Sequence, residues 1–147
     1  MIKKLALMGA FALASTAAWA GLYQPAPIIV DMLDRFAQGD VTTAANSNND
    51  VEFIGCGSRT FSDGVNSSRR GFCQASDADG NRVVCNTLDP VLVDAIQAIS
   101  DRAFITFSWV NDGTDDEPVL RCTRVGSSTQ SFYLDKIKPS SNDNGKN

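Results

Sequence analysis

Residues 71–86, GFCQASDADGNRVVCN, consist of two strand-like segments around a turn and are the clearest indication of the fold. The polar run at 76–81 is typical of a hairpin turn, and Gly80 can adopt the positive φ that such turns require. Each flank contains apolar residues and one cysteine, as expected for half-buried strands. The stretch therefore predicts an antiparallel hairpin.

The register of this hairpin predicts a disulfide. A three-residue loop at 78–80 places Asp77 opposite Asn81. Four residues further from the turn on each strand, Cys73 then lies opposite Cys85. Directly paired residues of antiparallel strands lie about 4.5–5.5 Å apart at Cα, which is within disulfide range. This register favours Cys73–Cys85, with Cys56–Cys122 as the second disulfide.

A second hairpin leaves another pairing open. A turn centred on residues 64–65 would bring Cys56 close to Cys73 and leave Cys85 to pair with Cys122. A slip of one residue in either turn reverses the choice, because neighbouring residues of a strand face opposite sides of the sheet. We prefer the first pairing and keep the second as the alternative.

Further segments outside residues 71–86 are typical of strands and helices. The predicted strands are 51–56, 71–75, 82–86, 102–110, 119–125 and 130–134. The strands follow one another through short turns, so we expect them to pair mainly antiparallel. We therefore predict an α+β fold: a single domain with a mainly antiparallel, twisted sheet of about five or six strands, two packed helices and two disulfides.

The two predicted helices lie at 27–39 and from Asp89 to about residue 100. The first begins with a proline, ends with a glycine and has an apolar stripe. That stripe is Ile29, Met32, Leu33 and Phe36. In the second, Asp89 is a good N-cap and Pro90 suits the first helical position. Its apolar stripe is Val91, Leu92, Ala95, Ile96 and Ile99.

Residues 1–20, MIKKLALMGAFALASTAAWA, have the three parts of a secretory signal peptide. A positively charged start precedes the short apolar run 5–14, and the small residues of Ala18-Trp19-Ala20 suit cleavage after residue 20. We expect the chain to be exported to the periplasm or the exterior, with no membrane anchor after cleavage. The predicted organisation is a signal peptide at 1–20, one folded domain at 21–137 and a disordered polar tail at 138–147.

The composition excludes several classes of function. The 147 residues include no histidine, which excludes a Ser-His-Asp triad, a Cys-His pair and an imidazole base. The net charge is −4, and it becomes −6 when the signal peptide, with two lysines and no acid, is removed. An acidic chain of this size is poorly suited to binding nucleic acid, and we predict no such partner.

Metal and redox sites are also not predicted. The four cysteines contain no CxxC pair, which argues against a thioredoxin-like site and a zinc cluster. Counting a calcium loop from Asp77 places Arg82 at position 6 and Leu88 at position 12, where glycine and glutamate are needed. We therefore predict neither a metal nor a cofactor.

Three residue types could form a binding surface: aromatic rings for a sugar or protein, arginines for an anion, and acids in the loop 112–118. The candidates are Trp109, Tyr133, Arg121, Arg124, Asp115 and Asp116. Arg59, Arg69 and Arg70 would join the other arginines if the first and fifth predicted strands were neighbours.

No catalytic residues are singled out, and we expect a small exported, non-enzymatic binding protein with a protein or glycan ligand. One specific form is a protein inhibitor of an extracytoplasmic hydrolase that presents the loop 112–118. The alternative is a structural or accessory subunit of a cell-surface assembly. A small hydrolase that uses aspartate and arginine is a third hypothesis. The sequence leaves the oligomeric state open.

Overall fold

A computed structural model describes residues 22–133, so the predicted signal peptide 1–20 and tail 138–147 lie outside the described residues. The elements in chain order are β1 (Ile29–Asp31), β2 (Phe36–Asp40), α1 (Val41–Ala45), β3 (Phe53–Ser62), β4 (Ser67–Ser76), β5 (Arg82–Thr87), α2 (Pro90–Gln97), β6 (Phe104–Asn111), β7 (Leu120–Ser128) and a 3₁₀ turn (Ser131–Tyr133). No helix within this part of the chain is long and apolar enough to cross a membrane.

The strands form one sheet in the order β1-β2-β6-β7-β5-β4-β3. Neighbouring strands are antiparallel except β5 and β7, which are parallel and pair through Asn86 and Arg121. The α+β class is confirmed. The described residues form seven strands rather than five or six. The sheet is mixed because the connection through α2 leads from β5 to β6, two strands away, and β7 then fills the position between them, parallel to β5.

One face of the sheet carries the core. Along β6 the buried side chains alternate with half-buried ones, as expected for a strand with one face turned inward. Helix α2 covers this face with Val93 and Ile96, and Gly71 of β4 lies directly beneath the helix. The core consists of Ile28, Val30, Ala37, Ala44, Ile54, Cys73, Ala75, Val83, Cys85, Ile96, Ala103, Ile105, Phe107, Trp109 and Cys122.

The preferred disulfide pairing is wrong, and the alternative is the one formed. Cys56 is bonded to Cys73, with Cα atoms 4.0 Å apart, and Cys85 to Cys122, at 5.1 Å. The hairpin register itself was predicted correctly, because Cys73 lies opposite Cys85 on β5. However, Cys73 also lies opposite Cys56 on β3, so it has a cysteine on each side.

The order of the strands explains the choice. The four cysteines lie on four consecutive strands, β7, β5, β4 and β3, with Cys122 and Cys56 outermost. A Cys73–Cys85 bond would leave these two about three strand spacings, roughly 14 Å, apart. Disulfides need Cα atoms within about 7 Å. Only pairing each outer cysteine with its inner neighbour bonds all four.

The predicted helix at 27–39 is also wrong, because these residues form the hairpin β1–β2. Asp31 accepts hydrogen bonds from the amides of Leu33 (2.9 Å) and Asp34 (2.8 Å), which closes a turn at the middle of the predicted helix. Arg35 leaves that turn with a φ of 55°, outside the helical region. Strand β2 then pairs with β6. Pairing with this distant strand therefore determines the conformation, despite the helix-like spacing of the apolar residues.

Helix α2 confirms the prediction at Asp89 and Pro90. The Asp89 carboxylate accepts from the amides of Val91 (2.8 Å) and Leu92 (3.4 Å), and the helix ends at Gln97, before the predicted residue 100. The buried stripe includes Val93, which was not among the predicted stripe residues, whereas Val91 is exposed.

The other differences lie in α1 and at the C-terminal end of the described chain. Helix α1 follows Asp40, in a segment where no helix was predicted, and Asp40 caps it by accepting from the Thr43 amide at 2.7 Å. Strand β7 continues to Ser128, three residues beyond the end of the predicted strand 119–125. The predicted strand at 130–134 is a 3₁₀ turn over Ser131–Tyr133, with residue 134 outside the described part.

Candidate functional site

The face of the sheet opposite the two disulfides is open over β3, β4 and β5. Side chains alternate along a strand, so the residues next to the buried Cys73 and Cys85 point to this open face. They line a shallow depression of about 270 Å³. Its lining consists of Arg59, Phe61, Arg70, Phe72, Gln74, Val84 and Asn86. No acidic side chain is among them, although the chain as a whole has a net charge of −4.

Arg59 and Arg70 are the charged residues of this depression. They are directly paired across β3 and β4, and both are exposed. Like charges at directly opposite positions of a sheet repel each other. The ion pairs within residues 22–133 are Arg69–Asp94 and Arg121–Asp112, so no carboxylate of this region neutralises Arg59 or Arg70.

The ring of Phe72 forms the floor beside this pair. Phe72 lies opposite Gly57, and a Cβ at position 57 would be only 2.8 Å from the Cζ of the ring. The ring can therefore lie against the β3 backbone because residue 57 has no side chain. The guanidinium carbon of Arg59 lies 5.5 Å from the ring centroid, a cation–π distance that restricts the arginine.

Beyond the depression, the open face carries a second cation–π pair of an arginine and a phenylalanine. Arg82 of β5 reaches over Ser76 to the ring of Phe53, with its guanidinium carbon 4.9 Å from the ring centroid. Arg121 pairs with Asn86 across β7 and β5, next to the depression. The face thus combines arginines, phenyl rings and the amides of Gln74 and Asn86, which can both donate and accept hydrogen bonds.

Arg69 does not belong to this face, although it precedes Arg70. Its Nη1 donates to Asp94 (3.2 Å) and to the Oε1 of Gln97 (2.9 Å), both on α2. Successive residues of a strand point to opposite faces, so Arg69 holds the helix while Arg70 remains on the open side.

The turn of the β3–β4 hairpin is held by Asp63. Its Oδ1 accepts from the amides of Val65 (2.9 Å) and Asn66 (2.6 Å), and these two bonds lower the pKa of the carboxyl below its ordinary value. Val65 at the tip is 90% exposed. The segment 58–70, between the predicted strands 51–56 and 71–75, is mostly paired strand that extends the hairpin.

The acidic loop 112–118 is exposed and is held by Asn111. The Asn111 side chain accepts from the amides of Gly113 and Val119, both at 3.0 Å, and donates to the carbonyl of Thr114 at 3.2 Å. At the start of the loop, the Nε of Arg121 donates to Asp112 at 2.6 Å. This hydrogen bond lowers the pKa of Asp112 and raises that of Arg121.

The predicted binding residues do not form one site. Trp109 is 4% exposed and packs near Phe107 in the core, so its ring is not part of a surface platform. Tyr133 stacks on Phe104, with ring centroids 5.2 Å apart. Phe104 and Trp109 are an odd number of residues apart on β6, which places them on opposite faces.

The charged candidates are also separate from one another. Arg121 is paired with Asp112, and Arg124 is exposed further along β7. Asp115 and Asp116 are exposed in the loop, and no ion pair of the described residues involves them.

Sequence reasoning did not single out Arg59, Arg70 and Phe72 as a site. The arginines were expected to converge only through the first and fifth predicted strands, which are β3 and β7 and are not neighbours. The signal that could have found them was the hairpin centred on residues 64–65, because the register that pairs Cys56 with Cys73 also pairs the two arginines.

Comparisons of the chain with protein-family models, with curated proteins and with solved structures gave no match. The described residues also contain no group of three or more histidine, cysteine, aspartate or glutamate side chains placed to hold a metal ion.

Proposed function

We propose that this chain is an exported, non-enzymatic binding protein that captures an anionic ligand on the open face of its sheet. The observation that carries the proposal is the directly opposed pair Arg59 and Arg70, which no carboxylate of the described residues neutralises. Two like charges held side by side destabilise the free protein, and a bound anion relieves this repulsion.

The surroundings of the pair support a ligand rather than only a solvated surface. A guanidinium binds carboxylate, phosphate or sulfate through two parallel hydrogen bonds, and Arg59 is already restricted over Phe72. The depression of about 270 Å³ adds apolar contact and two amides, Gln74 and Asn86, for hydroxyl or amide groups. Pockets that bind small ligands typically combine such apolar area with a few convergent polar groups.

The disulfides support the export part of the proposal. Cys56–Cys73 and Cys85–Cys122 indicate an oxidising, extracytoplasmic environment. The signal-like residues 1–20 would direct the chain there, and the ligand would be met in the periplasm or outside the cell.

The test is binding of three anionic probes to the oxidised protein: polyglutamate, polygalacturonate and heparin. We expect at least one to bind at low ionic strength, with affinity falling as salt is added. Since hydrogen bonds to charged groups contribute about 1.5–3 kcal/mol each, the variant Arg59→Gln/Arg70→Gln should bind at least tenfold more weakly. Isothermal titration calorimetry measures the affinity directly.

The matched control is Arg35→Gln/Arg102→Gln, which removes the same charge at two exposed positions outside the depression. We expect its affinity to stay close to that of the unmodified protein. Equal losses in the two double variants, or no binding of any probe, would contradict the proposal.

A further inference from the structure

The outer part of β3, Ser58–Ser62, is an exposed sheet edge beside the arginine pair. Within residues 22–133, strand β3 is the last strand of the sheet and pairs with β4 alone. Residues from Arg59 to Ser62 are exposed, and Phe61 is 53% exposed despite its apolar ring. Such an edge presents main-chain groups to which another extended chain can bind.

Two observations fix which main-chain groups point outward. The Asp63 amide donates to the Asn66 carbonyl at 3.1 Å, so 63 and 66 form a hydrogen-bonded pair. The Cα separation of 4.0 Å between Cys56 and Cys73 is typical of a pair without such bonds. Hydrogen-bonded and non-hydrogen-bonded pairs alternate along an antiparallel ladder. Residues 56 and 63 are an odd number of positions apart along the chain, so the two observations agree.

It follows that Ser58, Thr60 and Ser62 direct their amides and carbonyls away from β4. No backbone partner for these groups is found within residues 22–133. The Ser58 hydroxyl does accept from the Nε2 of Gln97 at 3.1 Å, but this contact lies on the helix side and leaves the strand edge open. The edge can therefore accept a ladder of hydrogen bonds from an added strand.

We infer that an extended, acidic segment of a partner protein adds to β3 as an eighth strand, a proposal that rests on the proposed function. Directly opposed side chains of an added strand would lie about 4.5–5.5 Å away at Cβ. An acidic residue opposite Arg59 would neutralise the repulsion between Arg59 and Arg70. An apolar residue opposite Phe61 would cover its exposed ring.

This placement defines a sequence pattern for the partner. Arg59 and Phe61 are two residues apart on the same face, so the added strand needs its acid and its apolar residue two positions apart as well. An antiparallel strand would carry apolar-x-acid, and a parallel strand would carry acid-x-apolar. Charge argues against a second copy of this chain, because self-pairing would place four arginines together on one face.

The test uses the oxidised protein and a labelled ten-residue peptide of threonines with valine two positions before glutamate. Fluorescence anisotropy gives the affinity. We expect binding that weakens at least about tenfold when the peptide amides facing β3 are N-methylated, because the main-chain donors are lost. Replacing the glutamate by glutamine should weaken binding to a similar extent.

The variant Thr60→Pro tests the same edge from the protein side. Proline has no backbone N–H, and the amide lost at position 60 points away from β4. The hydrogen bonds between β3 and β4 are therefore kept, and edge strands tolerate proline at such positions. The control Thr60→Val keeps the amide, and circular dichroism checks that both variants fold. We expect Thr60→Pro to lose at least about tenfold in peptide affinity and Thr60→Val to keep it.

Several outcomes overturn the strand inference while the proposed function stands. One is peptide binding that is unaffected by N-methylation and by Thr60→Pro, because the ligand would then lie on the open face. Another is binding of polygalacturonate or heparin but not of the peptide. Dimers in sedimentation velocity that Thr60→Pro abolishes would identify a second copy as the occupant.

A different outcome overturns both proposals: none of the three anionic polymers binds the protein, and the acidic peptide does not bind it either.

Discussion

At the scale of the residue, positions without a side chain decide how closely parts of this molecule approach. Gly57 lets the Phe72 ring lie against β3, which in turn positions Arg59 over that ring. Gly71 lets helix α2 lie close to β4 on the other face of the sheet. Neither role is visible in the sequence pattern, because each depends on an atom from a distant part of the chain.

The variant Gly71→Ala should destabilise the fold. Its Cβ would lie 2.6 Å from the Cδ1 of Ile96 and 3.1 Å from the Cγ2 of Thr87, so the buried Ile96 side chain has to shift within the core. Overpacking of this kind costs about 1–3 kcal/mol. Urea unfolding with both disulfides intact measures the loss.

The control is Gly55→Ala, on the neighbouring strand β3, where no atom lies within 4 Å of the added Cβ. We expect its free energy of unfolding to stay within about 0.5 kcal/mol of the unmodified protein. Similar losses in both variants would show that contact with α2 is not the cause.

At the scale of the element, local signals succeed where the side chain acts on its own backbone. Asp89 and Pro90 predicted the start of α2 because capping involves only the next few residues. The segment 27–39 was misassigned because its apolar spacing suits a helix, whereas its conformation depends on pairing of β2 with β6, some 70 residues further along the chain. Propensity is a weak prior against such pairing.

Removal of the Asp89 cap should reduce stability by a predictable amount. In Asp89→Ala the amides of Val91 and Leu92 lose their acceptor, which costs about 1 kcal/mol for a typical N-cap. The control Asp101→Ala removes the same charge from an exposed position after α2. Thermal unfolding compares the two, and a loss in Asp101→Ala as large as in Asp89→Ala would assign the effect to charge alone.

At the scale of the whole molecule, the order of the strands determines the disulfides and the open face. Placing β5 next to β7 sets the four cysteines in sequence across four strands and joins Cys85 to Cys122. The same arrangement leaves β3 at the edge, with Arg59 and Arg70 on the uncovered face.

Tryptic mapping of the oxidised protein checks this arrangement, because each cysteine falls on its own tryptic peptide. We expect peptide 36–59 linked to 71–82, and peptide 83–102 linked to 122–124, since these contain the bonded pairs. Reduction should separate each pair. Finding 71–82 linked to 83–102 would contradict this pairing, because Cys73 and Cys85 would then be bonded to each other.

Features that depend on near neighbours in the chain can be predicted from the amino-acid sequence alone. These include the α+β class, the Asp89 cap and both hairpin registers that place cysteines opposite Cys73. The choice of disulfide partner for Cys73 and the hairpin at 27–39 depend instead on the packing of distant segments. The same is true of the burial of Trp109 and the exposure of Arg59 and Arg70. The physical reason is that a strand completes its hydrogen bonds and covers its faces with distant segments, so its neighbours are set by the packing of the whole sheet.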